Sequence, residues 1–254
     1  MFSLKNKTTI ITGGGSGIGR ATSILFGKQG AIVCVVDINQ EQVEETTRLI
    51  KGEGGVAYGY KCDVTVQADV INLYKEIGTI DILINSAGVS HIGKADTTTE
   101  EEFDQVFKVN VKGVYNSLHA ALGIMKQQRA GIILNLSSVA AVVGLADRFS
   151  YSMSKGAVYA MTMSVAKDYI GYNIRCNCVS PGRVHTPFVD NFLSKNYPGK
   201  EEEMFEKLSK TQPIGRMATP KEIGYLILYL CSDEASFITG SDYNIDGGFI
   251  KLNS

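Results

Sequence analysis

The chain has 254 residues, 44% hydrophobic and 20% charged, which suits one large globular core and excludes a disordered chain. Lys and Arg number 25 against 26 Asp and Glu, so no overall field exists to hold nucleic acid or an anionic membrane. The 27 glycines beside only 5 prolines raise the question of where backbone must turn tightly or approach a ligand closely.

In chain order, short β-branched runs alternate with longer amphipathic stretches. The runs 8–13, 31–37, 56–64, 80–88, 131–138 and 174–182 read as strands, several of them apolar on both faces. Helices are expected at 19–29, then after Asn39 as N-cap with Gln42 as capping-box partner, and at 66–76, 100–129, 151–170 and 220–230. This alternation predicts an α/β, doubly wound fold on a parallel sheet, with no linker or repeat dividing residues 1–254. Residues 183–219 break the rhythm with Pro187, Pro198 and Pro213 and the aromatics Phe188, Phe192, Tyr197 and Phe205. An insertion of that length is expected to be a lid or a subunit contact, and the acidic run 201–203 within it a solvated helix face.

Cys34, Cys62, Cys176, Cys178 and Cys231 are odd in number and lie in apolar stretches, so they are expected to be reduced core thiols. His91, His119 and His185 are widely spaced, and no metal site is expected. No apolar stretch approaches membrane-spanning length and no signal-peptide core precedes a cleavage motif, so the expected location is cytoplasmic, without a membrane partner.

The stretch TGGGSGIG at 12–19 follows the first strand and opens the first helix. Gly13 permits the tight turn, Gly17 lets backbone approach a pyrophosphate and Gly19 allows close helix packing, with Ser16 and Ile18 completing the turn. A glycine motif alone is often only a structural turn. Here the second strand ends in Asp37, 20 residues after Gly17, where a carboxylate can accept both ribose hydroxyls of NAD and repel the 2′-phosphate of NADP. Ile38, Asn39 and Gln40 follow it, none of them basic, so the expected cofactor is NAD. Tyr151 and Lys155 stand four apart at a helix start and project from one face, while Ser138 ends the strand LNLSS. A nearby ammonium together with a nicotinamide cation would lower the phenol pKa from its usual value of about 10 and let Tyr151 act as a base.

Taken with Asp63-Val64, NSAG at 85–88, Asn110, YSMSK at 151–155, SPGRVHT at 180–186 and IDGG at 245–248, these residues resemble the short-chain dehydrogenase/reductase family over essentially the whole chain. The resemblance implies a single Rossmann domain of about seven strands with a lid before the last helix. It implies a tetrad of Asn110, Ser138, Tyr151 and Lys155, with Asn110 holding a water behind Lys155. It further implies cofactor contacts at Asp63, Val64, Asn85, Ala87, Gly88, Pro181, Gly182, Val184 and Thr186, and a homotetramer formed through the last helix and strand. Ser86 departs from the family's usual second asparagine in that turn.

Arg148 lies three residues before Tyr151, Arg183 and His185 interrupt the PGxxxT turn, and His91 follows NSAG. Four cationic or hydrogen-bonding groups near one pocket suggest a polar, carboxylated small-molecule substrate. Stretches such as DRFSYSMSK and PIGRMAT are similar to the branch with hydroxybutyrate and sugar or sugar-acid dehydrogenases, where an arginine at the position of Arg148 is implied to meet a carboxylate, Arg216 being a weaker candidate. The expected reaction is NAD-dependent interconversion of a secondary alcohol and a ketone on a small hydroxy acid, sugar or sugar acid. The alternatives are a 3-oxoacyl-acyl-carrier-protein reductase and a dehydrogenase of steroids or other bulky alcohols.

Overall fold

The structure is a computed structural model that describes residues 2–252. Seven strands, β1 (Thr8–Thr12), β2 (Ile32–Asp37), β3 (Val56–Lys61), β4 (Ile82–Asn85), β5 (Gly131–Leu136), β6 (Ile174–Pro181) and β7 (Asp242–Ile245), form one parallel sheet in the order 3-2-1-4-5-6-7. The helices are α1 (Gly17–Lys28), α2 (Gln40–Gly52), α3 (Gln67–Ile77), α4 (Glu100–Val106), α5 (Gly113–Gln128), α6 (Phe149–Tyr169), α7 (Pro187–Asn196), α8 (Glu201–Ser209), α9 (Pro220–Cys231) and α10 (Phe249–Leu252).

Strand side chains alternate between faces, and both faces are dry. Ile11, Val33, Val35 and Ile84 pack with Phe26 of α1 and Ile223 and Ile227 of α9, whereas Ile10, Cys34, Val36 and Leu83 pack with Tyr74 of α3, Leu118 of α5 and Val158 of α6. This is why the strands read as apolar runs rather than alternating ones. All five cysteines are buried free thiols. Among the described residues, no helix is long and apolar enough to cross a membrane.

Several local expectations are corrected. Asn39 caps α2 by accepting the Gln42 N–H at 3.1 Å, but the reciprocal bond of a capping box is not made, because Asp37 Oδ1 accepts the Asn39 N–H at 3.1 Å. Full capping boxes occur instead at Thr99/Glu102 on α4 and Thr219/Glu222 on α9. The expected helix 100–129 is interrupted by a π-helical turn, Phe107–Lys112, that carries Asn110 inward. The segment 183–219 contains α7 and α8, and Glu201, Glu202 and Glu203 occupy the first turn of α8, where the positive helix end favours acids.

Candidate active site

β1 lies between β2 and β4, so the chain leaves β1 toward one edge of the sheet and returns on its other side, opening a crevice at the carboxyl ends. The turns after β1 and β4 meet there. Thr12 Oγ1 accepts the N–H groups of Ser86 and Ala87 at 3.2 and 3.3 Å. Gly13 has φ +67°, and a Cβ on it would lie 2.8 Å from the Ala87 backbone; a Cβ on Gly19 would collide with the Gly13 carbonyl. Ser16 precedes α1 without a side-chain cap, so the first amides of that helix remain open to an anion. The Asp37 carboxylate is held at the mouth by the Gly15 N–H at 3.1 Å as well as by Asn39. The basic residue nearest this turn, Arg20, is directed elsewhere: its Nε donates to the Gly15 carbonyl at 2.7 Å and its Nη2 pairs with Glu45 at 2.8 Å. The fit to a dinucleotide rests on these features: glycines whose side chains would fill the cradle, and an acid at its rim.

The crevice opens into a cavity of about 710 Å³, the size of an ordinary small-molecule site. Gly13, Ser16, Gly17, Ile18, Asp37, Asp63, Val64, Ala87, Gly88, Pro181, Gly182, Val184 and Thr186 line it, as do Ser138, Tyr151 and Lys155. Gly19 packs beneath the turn and Asn85 does not face the cavity. The Asn85 amide is buried and donates to Asn135 Oδ1 at 2.8 Å, so this side chain belongs to the sheet interior. Ser86, the departure from the family pattern, does line the cavity.

Ser138 follows β5 and caps the short turn Val139–Ala141, its Oγ accepting the Ala140 N–H at 3.2 Å. Its hydroxyl lies close enough to Tyr151 to favour the charged form of the phenol. Lys155, one turn further along α6, is 8% exposed; its Nζ donates to the Leu136 carbonyl at 2.7 Å and lies 5.7 Å from the Tyr151 ring centroid. Burial lowers the Lys155 pKa to about 8. Burial also raises the Tyr151 pKa, opposed by the nearby Ser138 hydroxyl and the Arg148 charge. Burial is the dominant influence here, so the phenol keeps its proton more firmly than in water.

Asn110 sits behind this wall rather than on it. Its Nδ2 donates to the Val89 carbonyl at 2.8 Å and to Ser154 Oγ at 3.0 Å, and its Oδ1 accepts the Val89 N–H at 2.8 Å. Ser154 in turn donates to the Tyr151 carbonyl at 2.7 Å, tying the π-helical turn to the start of α6.

At the other end of the cavity lie Arg148, Arg183 and residues of α7 and α8, among them Phe188, Val189, Phe192 and Leu208. Arg148 is set by a β-bridge to Gly93, and its Nη1 donates to Ser90 Oγ at 2.9 Å. Arg183 Nε donates to Thr211 Oγ1 at 2.9 Å. The segment holding α7 and α8 is closed at its base: the Ala218 N–H donates to the Arg183 carbonyl at 2.9 Å and the His185 N–H to the Ala218 carbonyl at 2.8 Å. The two histidines do not join the arginines. His91 Nε2 points at Glu102 of α4, 3.5 Å away, and His185 Nε2 meets Asp190 at 2.8 Å while its ring packs on Phe205. Arg216 pairs with Glu222 at 2.7 Å and also stays outside. Sequence reasoning missed Ser90, Gln212 and Phe249, which line the cavity from loops and a terminal helix that carry no motif. Among the described residues no group of three or more His, Cys, Asp and Glu side chains could hold a metal ion.

Residues 13–250 match a family model described as enoyl-(acyl carrier protein) reductase. The chain is 39% identical to dehydrogenase/reductase SDR family member 6 of Xenopus laevis over 98% of this chain and 99% of that one. It is 37% identical to a 3-oxoacyl-(acyl-carrier-protein) reductase of Thermotoga maritima over 97% and 99%. The crystal structure of levodione reductase superposes with a TM-score of 0.92 at 30% identity, covering 96% of this chain and 97% of that one. The matches run almost end to end and agree on one conclusion: the chain belongs to the short-chain dehydrogenase/reductase family of oxidoreductases, whose members use NAD(H) or NADP(H).

Proposed function

We propose that the protein is an NAD-dependent dehydrogenase that interconverts the hydroxyl and keto forms of a small hydroxy acid, sugar or sugar acid. The observation that carries this is the placing of Ser138, Tyr151 and Lys155 in one cavity with Arg148, a half-buried guanidinium three residues from the tyrosine. The proposed nucleotide end holds Asp37, whose charge opposes a 2′-phosphate, and this disfavours the NADPH chemistry of an acyl-carrier-protein reductase.

In the mechanism, Ser138 orients the substrate oxygen and Tyr151 exchanges a proton with it. In reduction the raised Tyr151 pKa suits a phenol that gives its proton to the carbonyl oxygen. In oxidation the phenol must lose it, helped by Arg148 and by the Lys155 ammonium, which is present below about pH 8. A bound nicotinamide supplies the hydride acceptor or donor and, when oxidised, a further positive charge. A Cβ on Gly88 would lie 3.3 Å from Asn110 Oδ1 and 3.8 Å from Lys155 Nζ, so the glycine lets the chain pass close to both polar side chains. In this reading Asn110 holds a water behind Lys155 as the outlet for the proton.

α7 and α8 act as a lid in this reading. Phe188, Val189 and Phe192 form an apolar wall beneath it, the one observation that favours a bulkier alcohol as second reading. Exposed Tyr225 on α9 and the fully exposed Phe237 support association of the C-terminal region into a homotetramer, and a cytoplasmic setting accords with five free thiols. An initial-rate screen of hydroxy acids, sugars, sugar acids and sterols with NAD and NADP tests the proposal. Tyr151→Phe is expected to lower kcat/KM about 1000-fold with an unchanged melting curve. Turnover that survives this substitution overturns the mechanism.

A further inference from the structure

We infer that the cavity binds two separate anionic groups, one at Arg148 and one at Arg183, and that the substrate is a hydroxy acid bearing a second acidic group. This rests on reading the cavity as a hydroxy-acid site and extends that reading to a residue outside the tetrad.

Both arginines line the same cavity and both are half-buried, yet neither takes part in a salt bridge among the described residues. Their hydrogen-bond acceptors are neutral: Ser90 Oγ and the His91 carbonyl for Arg148, Thr211 Oγ1 for Arg183. The carboxylates that line the cavity, Asp37 and Asp63, stand at the proposed nucleotide end. Asp147, next to Arg148 in the chain, is exposed and does not line the cavity, although its charge favours the charged form of Arg148. Two like charges thus share a partly dry space, and no carboxylate among the described residues is ion-paired to either. Burial lowers both pKa values, and the Arg148 charge lowers that of Arg183 further.

Such a pair is costly when empty and gains from any anion that enters. The two forks are anchored on different walls. Arg148 is fixed to the loop after β4 through Gly93 and Ser90, and Arg183 to the end of α8 through Thr211. Each planar fork therefore presents its own remaining donors, and each suits one carboxylate. With the reacting carbon beside Tyr151, the matching molecule has its hydroxyl between two acidic groups.

The test separates binding from turnover. Calorimetric titration of the protein with glutarate and with valerate compares a diacid with a monoacid of equal chain length, neither of which can react. Glutarate is expected to bind at least tenfold more tightly. Arg183→Met is expected to abolish that preference, Arg183→Lys to retain part of it, and Arg148→Met to weaken both acids. Equal affinity for the two acids, an undiminished preference in Arg183→Met, or equal weakening of both acids by that substitution overturns the inference. Turnover is then compared for 3-hydroxyglutarate and 3-hydroxyvalerate with NAD. A glutarate preference without turnover of any hydroxy acid keeps the two-anion site and refutes the proposed function; turnover without that preference does the reverse.

Discussion

At the proposed nucleotide end the cavity is lined from the turns after β1 to β4, and its charges are the acids Asp37 and Asp63; at the proposed substrate end it is lined from α7, α8 and loops, and its charges are Arg148 and Arg183. The first end rests directly on strands whose side chains are fully buried, such as Ile84 in β4. The second is carried on helices with exposed apolar residues, such as Phe188 at 51% exposure. A dinucleotide is a constant partner, and rigid backbone with little choice of side chain suits it. A substrate that differs from one enzyme to the next is better met by side chains on elements that contribute little to the core.

The sharpest way to break this comparison is through stability. Ile84→Ala should cost about 2–5 kcal/mol in urea unfolding, since it leaves a cavity in the sheet core. Phe188→Ala should stay within about 0.5 kcal/mol. Equal losses would mean that the lid is as integral to the core as the sheet. Next comes the acid at the nucleotide end: Asp37→Ser should move the NAD:NADP ratio of kcat/KM toward NADP by roughly 100-fold, because a like-charge clash costs several kcal/mol. An unchanged ratio would remove Asp37 as the selector.

A smaller effect concerns Lys155, which lies between the two ends. Its pKa falls from the ordinary 10.5 to about 8 on burial, so folding disfavours its charged form. That penalty, on the order of 3 kcal/mol, is complete below about pH 8 and disappears as pH rises through 10.5. Lys155→Met also loses the bond to the Leu136 carbonyl, worth about 1 kcal/mol. The variant should therefore be inactive yet about 2 kcal/mol more stable than the parent at pH 7, with the gain vanishing in alkali. Thermal melts at several pH values check this, and a difference independent of pH would contradict it.

The same contrast decided what could be read beforehand. The glycine turn, Asp37, Ser138, Tyr151 and Lys155 lie at strand ends or one helical turn apart, where spacing fixes direction, and the structure brings them to one cavity. His91 and His185 lie in loops, where proximity in sequence to a pocket says nothing of orientation: His185 bonds Asp190, and His91 Nε2 lies 3.5 Å from Glu102 without a hydrogen bond. Asn85 was assigned by its place in a motif, whereas its side chain is buried and its Nδ2 donates to Asn135 in the neighbouring strand, leaving Oδ1 without a partner among the described residues. The π-helical turn was invisible because FKVNVK is a short run with alternating apolar residues inside a long helical stretch, and nothing in it marks an extra residue per turn. The capping boxes of α4 and α9 stand in the sequence as Thr-x-x-Glu but were not read as such, whereas Gln42 was misread because Asp37 competes for the same N–H.

The pair of bonds joining Ala218 to Arg183 and His185 makes the stretch between them a cassette with its own closed neck. Because the entropy of closing a loop grows only logarithmically with its length, residues inside the cassette can be exchanged, inserted or lost at small cost while the neck holds its ends in place. Substrate choice can thus be rewritten in that stretch without re-deriving the sheet, the glycine turn or the tyrosine helix. Arg183 stands at the neck itself, where the interchangeable part of the molecule meets the part that does not change.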